Sequence, residues 1–140
     1  MSNDVAIIGV GLHPFGRFGD VTAIDMGAIA IRRALADAGV EWRQIQFAFA
    51  GSYEVDNPDA VVALMGLTGI PFTDVYNGCA TAASALTLAA NTIRLGDHEL
   101  GIAVGMDKHV PGRSRATRAT MRARRGTASS GTSSRRSSSG

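Results

Sequence analysis

Tyr76-Asn77-Gly78-Cys79-Ala80-Thr81-Ala82 lies where a predicted strand meets a long stretch without charge. The strand is predicted over residues 72–77. Residues 80–90 are all Ala, Ser, Thr or Leu. A helix that is small and apolar on every side is normally a buried one. This order therefore predicts a strand, a turn at Gly78, and a helix over 80–95 that lies centrally between layers.

Apolar runs and helical spacing alternate along the rest of the chain. Further strands are predicted over 5–10, 46–51 and 100–105, and helices over 22–38 and 58–67. Thr22 is suited to cap the first helix and Gly39 to end it, while Pro58 suits the first turn of the second. Strands that alternate with helices predict an α/β fold in the order βαβαβαβ, with a mixed, mainly parallel sheet.

Cys79 is the candidate catalytic residue because it stands between a strand and the N-terminal end of a helix. Unpaired N–H groups and the positive end of the helix dipole favour a thiolate there. A thiolate is nucleophilic, and its natural covalent intermediate with an acyl group is a thioester. The strand–Gly–Cys–helix order resembles a nucleophile elbow. The alternative is that Cys79 is a small buried apolar residue, as a lone cysteine often is.

Other candidate motifs give weaker signals. Gly9-Val10-Gly11 follows a predicted strand, but Pro14 stands where a dinucleotide-binding loop needs its third glycine, so we interpret these glycines as turn residues. The histidines share no metal-like spacing and are interpreted as loop residues, although His109 could approach the site. Capping and turns explain three acidic residues at element ends. The groups in question are His13, His98, His109, Asp56, Asp59 and Asp74.

Composition excludes several classes of protein. The chain has 140 residues, a formal charge of +2 and one Cys, so it can form no internal disulfide and no zinc site of two thiolates. No stretch approaches the ~20 apolar residues of a membrane span, and the N-terminus lacks the layout of a signal peptide. We therefore expect one cytoplasmic domain that binds no metal and no membrane.

Residues 113–140 differ abruptly from the rest. They hold 8 Arg and 8 Ser but no acid, whereas residues 1–112 hold 6 basic against 12 acidic side chains. The sequence predicts a domain over 1–112 and a low-complexity tail over 113–140 that buries too little apolar surface to fold. The tail could be a solvated linker or an arm that binds nucleic acid, but it lacks aromatic residues for base stacking. We favour a third interpretation, that it is an out-of-frame reading of GC-rich DNA.

Three segments together resemble the nucleophile region of thiolases. They are Asn77-Gly78-Cys79-Ala80-Thr81-Ala82-Ala83-Ser84-Ala85-Leu86, Arg94-Leu95-Gly96 and Ala103-Val104-Gly105-Met106-Asp107-Lys108. The opening Val5-Ala6-Ile7-Ile8-Gly9-Val10-Gly11 is similar to the start of the lipid-transfer or sterol-carrier type. The resemblance covers residues 4–112. It implies one half of a thiolase, layered around a buried central helix.

The resemblance also implies a reaction. Cys79 would accept an acyl group from a 3-oxoacyl-CoA or acetyl-CoA, with its own N–H in the oxyanion hole. Coenzyme A thioesters would be substrates, and no cofactor would be covalently bound. Members of the family commonly carry Gly where this chain has Ala82, so either the helix is crowded there or a neighbour is smaller. Intact members associate as homo-oligomers or with partner subunits.

The resemblance finally implies a truncated chain. The CoA-binding loop domain and the second half, with its base histidine and second cysteine, have no counterpart here. We expect no thiolase turnover by this chain alone. We also expect one apolar face of the helix over 80–95 to be exposed to solvent, because such a helix is normally packed on all sides. The alternatives are a non-catalytic fragment or associating subunit, and a component of a lipid-transfer-type retro-aldolase that acts on steroid or lipid CoA esters.

Overall fold

The structure, a computed structural model, describes residues 4–109. The helices are α1 (Ala23–Ala38), α2 (Val62–Met65) and α3 (Thr81–Leu95), and the strands are β1 (Phe47–Gly51), β2 (Phe72–Val75) and β3 (Gly101–Gly105). Short 3₁₀ turns cover Trp42–Gln44, Pro58–Val61 and Gly78–Ala80. The predicted α/β class is confirmed. The predicted tail, 113–140, lies outside the described residues.

The three described strands form one parallel sheet in the order β2-β1-β3. In β1, Ala50 lies opposite Val104 of β3, and Gly51 lies opposite Gly105. Side chains alternate between the two faces of a strand. Ala50 and Val104 therefore share one face, and Gly51 and Gly105 share the other.

The two long helices cover opposite faces of the sheet. Ala50 and Val104 belong to the core with Ile31 and Leu35 of α1. On the other face, positions 51 and 105 approach Thr81 and Ala82 of α3. The result is a three-layer α/β/α arrangement. The remaining core residues are Ala28, Ile45, Val61 and Met106.

Helix α1 begins and ends where the sequence predicts. Thr22 Oγ1 accepts a hydrogen bond from the Asp25 N–H at 3.1 Å, and the Asp25 carboxylate accepts one from the Thr22 N–H at 3.0 Å. This reciprocal capping box satisfies N–H groups that a helix start leaves open. Gly39, at φ 67°, ends the helix in the left-handed conformation.

The first predicted strand, over 5–10, is not a strand in the structure. Gly9 and Gly11 instead lie against α1, where an added Cβ would stand 2.4 Å from the Ala34 carbonyl oxygen and 2.1 Å from that of Ala30. Ile7 and Val10 remain exposed. A buried strand needs a hydrogen-bonded neighbour, and the ladder of the described sheet joins only β1, β2 and β3. The short apolar run alone could not reveal that residues 5–10 have no neighbouring strand in the described sheet.

The helix predicted over 58–67 is shorter than expected. A 3₁₀ turn leads into α2, which ends at Met65 because Gly66 adopts φ 111°. Helix α3, by contrast, has the predicted length and ends at Gly96.

Helix α3 is not enclosed within the described part of the chain. Thr81, Ala85 and Ala89 are buried toward the sheet, whereas Leu86 and Leu88 are 48% and 41% exposed on the rest of its surface. The expectation that half of a layered structure leaves one apolar face of this helix wet is confirmed for these residues. No helix within residues 4–109 combines the length and the apolar composition that a membrane crossing requires.

Candidate functional site

The candidate site lies at the carboxyl edge of the parallel sheet. All described strands point the same way, so β1, β2 and β3 end at one edge. Ligands of open α/β sheets commonly bind beyond this edge. The connection after β2 carries Cys79, and the segments after β1 and β3 begin at Ser52 and Met106.

Gly78 makes the sharp turn that carries Cys79 from β2 into α3. It adopts φ 53°, a left-handed conformation that costs glycine little, and an added Cβ would meet nothing within 4 Å. The Gly78–Ala80 turn follows at once and leads into Thr81. The strand–turn–helix order predicted around Cys79 is therefore confirmed.

Thr81 and Asn77 fix this turn from within. Thr81 Oγ1 accepts a hydrogen bond from the Asn77 N–H at 2.9 Å and donates one to the Gly78 carbonyl at 2.7 Å. The Asn77 amide donates to Ser84 Oγ at 2.9 Å, which ties the turn to the second turn of α3. Thr81 itself is buried. The backbone on either side of Cys79 is thus held by neutral hydrogen bonds.

Cys79 is a free thiol and is exposed. It lies in the turn just before α3, which has no side-chain N-cap. An uncapped start leaves N–H groups directed at whatever occupies the region in front of the helix. The alternative of a buried apolar cysteine is wrong for this structure. Among residues 4–109, none makes a hydrogen bond to its sulfur.

Two glycines let α3 approach the sheet closely. A Cβ at Gly51 would lie 2.0 Å from Thr81 Cγ2, and one at Gly105 would lie 2.6 Å from Ala82 Cβ. Real Cβ atoms do not tolerate such distances, so both strand ends require glycine. Because position 105 is glycine, the Ala82 methyl group has room beside this strand end.

Asp107 joins the segments that follow β3 and β1, a link that sequence reasoning missed. Its carboxylate accepts hydrogen bonds from Ser52 Oγ at 2.8 Å and from the backbone N–H groups of Tyr53 and Glu54, both at 2.9 Å. Ser52 Oγ in turn accepts from the Val55 N–H at 2.8 Å. Polar residues directly after two strands were the available signal, but only the sheet order makes them neighbours.

Two tyrosines stack at the same edge and were also missed. Tyr53 follows β1 and Tyr76 follows β2, and their ring centroids are 6.1 Å apart with 22° between the planes. Both rings are well exposed, at 53% and 70%. Tyr76 precedes Cys79 by three residues in the same connection.

The histidines are not assembled into a site with Cys79. His98 is half-buried and stacks on Phe47, with centroids 5.2 Å apart, at the opposite edge where β1 and β3 begin. His98 is a loop residue, as predicted, but it is only partly solvated because its ring packs on Phe47 at the start of β1. His13 contacts Phe18, and His109 is an exposed residue after β3. No three acidic, His or Cys side chains of residues 4–109 could jointly hold a metal ion.

The acidic residues do not act as helix caps in the way predicted. Asp74 lies within β2, and Asn57, the residue before the Pro58–Val61 turn, makes no side-chain cap. Burial, and then the negative charge of Asp59, raise the pKa of Asp74 above its usual value. Asp56 is exposed in a loop. Asp74 accepts the Asp59 N–H, so its carboxylate contacts the start of the Pro58–Val61 turn, an element distant from it in sequence.

These features define an α/β domain with an exposed cysteine at a strand-to-helix turn. Residues 5–135 match the family model described as thiolase, N-terminal domain. The chain belongs to this family. The match extends beyond residue 112, and the domain boundary at that residue stays a prediction.

Curated relatives and solved structures agree with the family. Sterol carrier protein 2 of Bos taurus is 32% identical over 117 residues, which are 80% of this chain and 22% of that protein. Acetyl-CoA acetyltransferase of Methanothermobacter thermautotrophicus is 34% identical over 112 residues, 75% of this chain and 29% of the enzyme. The 3-oxoacyl-(acyl carrier protein) synthase III of Xanthomonas oryzae superposes with a TM-score of 0.50 at 27% identity, covering 56% of this chain and 25% of that one. The chain thus spans less than a third of each of these proteins.

Proposed function

We propose that Cys79 is the acyl acceptor of a thiolase-type acyltransferase that acts on coenzyme A thioesters. The observation that supports this most is the exposed thiol on the Gly78 turn, directly before α3, in a domain of the thiolase family. The similarity to acetyl-CoA acetyltransferase supports the acyl-CoA class of substrate.

The proposed chemistry has two steps. The Cys79 thiolate attacks the 3-oxo carbon of a 3-oxoacyl-CoA, and collapse of the tetrahedral alkoxide breaks the carbon–carbon bond to the CoA ester. The leaving acetyl-CoA carbanion takes up a proton, and an acyl thioester remains on Cys79. Free CoA then gives up its thiol proton to a base and attacks this thioester, so that acyl-CoA leaves and the Cys79 thiolate returns. The N–H of Cys79 would stabilise the oxyanion.

The proton transfers need groups beyond those bonded near Cys79. None of residues 4–109 hydrogen-bonds to its sulfur. We propose that the base and the CoA-binding surface come from a further part of a complete protein or from a partner subunit.

Isotope exchange between labelled CoA and acetyl-CoA tests the acyl-acceptor role. The exchange requires formation and breakdown of an acetyl-cysteine but no carbon–carbon chemistry. We expect slow exchange above the buffer rate with the 140-residue protein and only the buffer rate with Cys79→Ala, which removes the only sulfhydryl of the chain. Equal exchange in both proteins, or none above buffer with the folded wild type, would contradict the proposal.

A non-catalytic, associating subunit is the second candidate. The exposed leucines of α3, Leu86 and Leu88, favour it, because an apolar helix face normally packs on another surface. Leu86→Lys and Leu88→Lys should reduce self-association in light scattering, whereas Leu67→Lys, which adds the same charge in an exposed loop, should not. If association is lost while CoA exchange persists, the face and the thiol have separate roles.

An alternative reaction is retro-aldol cleavage, with this chain as one component of a lipid-transfer-type retro-aldolase. Similarity to sterol carrier protein 2 and to non-specific lipid-transfer protein-like 2 of Caenorhabditis elegans, 34% identical over 113 residues, favours it. A retro-aldolase does not pass through an acyl-cysteine, so CoA exchange that depends on Cys79 would contradict it.

A further inference from the structure

We propose that the stacked Tyr53–Tyr76 pair determines acyl specificity at Cys79 and favours acyl groups that carry a flat apolar ring. The inference rests on the proposed function of Cys79. It adds a surface that selects among acyl groups, formed by two residues from different loops.

The sheet register brings the two tyrosines together. Gly51 of β1 lies opposite Val75 of β2, so the residues that follow these strands leave the sheet side by side. The rings stack with 22° between their planes. Each large ring nevertheless stays more than half exposed. The pair therefore offers a broad aromatic surface with little polar area.

The aromatic pair is close to the nucleophile along the chain. Tyr76 precedes Cys79 by three residues, so their Cα atoms lie within about 11 Å of each other. The Asn77 side chain fixes the intervening turn to α3 at Ser84. The inference requires that an acyl group on the sulfur reach the ring of Tyr76 across this short span.

Asp107 holds Tyr53 in place. Its carboxylate accepts the Tyr53 N–H at 2.9 Å and the hydroxyl of buried Ser52 at 2.8 Å. A surface with a fixed backbone loses less conformational entropy when a ligand binds. Aromatic faces prefer flat rings over flexible chains, because stacking adds to the gain from burial alone. A ring-bearing acyl group should therefore be favoured over a linear one of similar apolar area.

Alkylation of Cys79 in the full chain tests this preference without acyl transfer. The probes are N-naphthylmethyl iodoacetamide and N-octyl iodoacetamide, each followed by intact mass. The thiolate displaces iodide and forms a thioether, and the thiol proton goes to buffer. Rates are divided by those of glutathione with the same probe. We expect the wild type to favour the naphthyl probe by about 3- to 10-fold.

Variants separate the aromatic surface from general effects. Tyr53→Leu and Tyr76→Leu keep apolar bulk but remove the ring, and should bring the ratio near one. Tyr53→Phe and Tyr76→Phe should keep it, as should Phe15→Ala, which removes an exposed aromatic ring from another loop. An unchanged ratio in the Leu variants would overturn the inference. So would a Leu variant that changes only the oligomeric state, since the pair would then be an association surface.

The outcome is distinguishable from that of the proposed function. CoA exchange at Cys79 without a ring preference contradicts only the role of the tyrosines. A ring preference without CoA exchange contradicts the acyl-acceptor role and, with it, the acyl part of the inference, and leaves only an aromatic recognition surface beside Cys79.

Discussion

At the scale of single residues, close contact rather than charge shapes the site. Gly51, Gly78 and Gly105 each stand where the chain needs a missing side chain or a left-handed turn. Thr81 fills the space that Gly51 leaves and uses its hydroxyl to hold the turn around Cys79. These small residues therefore fix how closely α3 lies on the sheet and how the turn that carries Cys79 is held.

Gly51→Ala should destabilise the domain. The new methyl group would meet Thr81 Cγ2 at 2.0 Å and the Val75 carbonyl oxygen at 2.9 Å. Overpacking of this kind costs about 1–3 kcal/mol, which urea unfolding can measure. Adding Thr81→Ser, which removes Cγ2 and keeps the hydroxyl, should recover part of the loss. Gly19→Ala is the control, because nothing lies within 4 Å of its added Cβ. Equal stability of the two alanine variants would refute the close-contact argument.

Asp74→Asn should stabilise the domain at neutral pH. Burial and Asp59 raise the pKa of the Asp74 carboxyl, so the folded state binds its proton more tightly than the unfolded state does. That stability is present at low pH and is lost as pH rises from the ordinary carboxyl pKa through the raised one. Asp74→Asn should raise the free energy of unfolding by a few tenths of a kcal/mol at pH 7 and leave it unchanged near pH 3. Urea unfolding at both pH values checks this, with Asp97→Asn in an exposed loop as the control. A gain at pH 3 would contradict the sign.

At the scale of elements, residue spacing, capping residues and terminal glycines predicted the elements that depend only on nearby sequence. Helix α1 followed from its spacing, Thr22 and Gly39, and α3 from a charge-free run that ends at Gly96. The run over 5–10 failed because its packing against α1 depends on residues distant in sequence. The same limit applies to the site. Adjacent residues in the sequence were enough to select Cys79 as a candidate, whereas the contacts of Asp107 and of the tyrosine pair depend on the order of the strands.

Thr22→Ala should weaken α1 and with it the core face of the sheet. The substitution removes the side-chain half of the capping box, a loss of about 1 kcal/mol that urea unfolding would register. The hydroxyl and N–H of Thr22 lower the pKa of Asp25, so in the wild type this contribution is present above the ordinary carboxyl pKa and is lost as pH falls through the lowered one. Thr68→Ala, in an exposed loop, should have no effect. No loss in Thr22→Ala would contradict the cap, and a loss that is the same at pH 7 and pH 2 would contradict the contribution of the Thr22 hydroxyl to the lowered pKa of Asp25.

At the scale of the whole molecule, the described residues hold the proposed nucleophile, Cys79, and none of them hydrogen-bonds to its sulfur. The chain spans 22% of sterol carrier protein 2 and 29% of acetyl-CoA acetyltransferase. One apolar face of α3 has no cover among residues 4–109. Both facts favour an active site that is completed by further polypeptide.

The 140-residue protein alone should therefore show no sustained thiolysis of acetoacetyl-CoA. Absence of general acid–base help alone costs ~10²–10⁴ in rate, and absence of CoA positioning adds to this. Thioester absorbance with CoA as co-substrate measures the turnover. Turnover that disappears in Cys79→Ala would contradict the need for further polypeptide, while supporting the nucleophile.

Acetyl transfer onto a single defined sulfur tests the central claim most directly. The folded protein is incubated with acetyl-CoA, and the intact mass and the modified peptide are read at intervals, beside the urea-unfolded chain and Cys79→Ala. The structure predicts an acetyl thioester at Cys79 that forms faster in the folded protein than in urea and never in the variant. An adduct that forms only in urea, or at the same rate in both states, would contradict it.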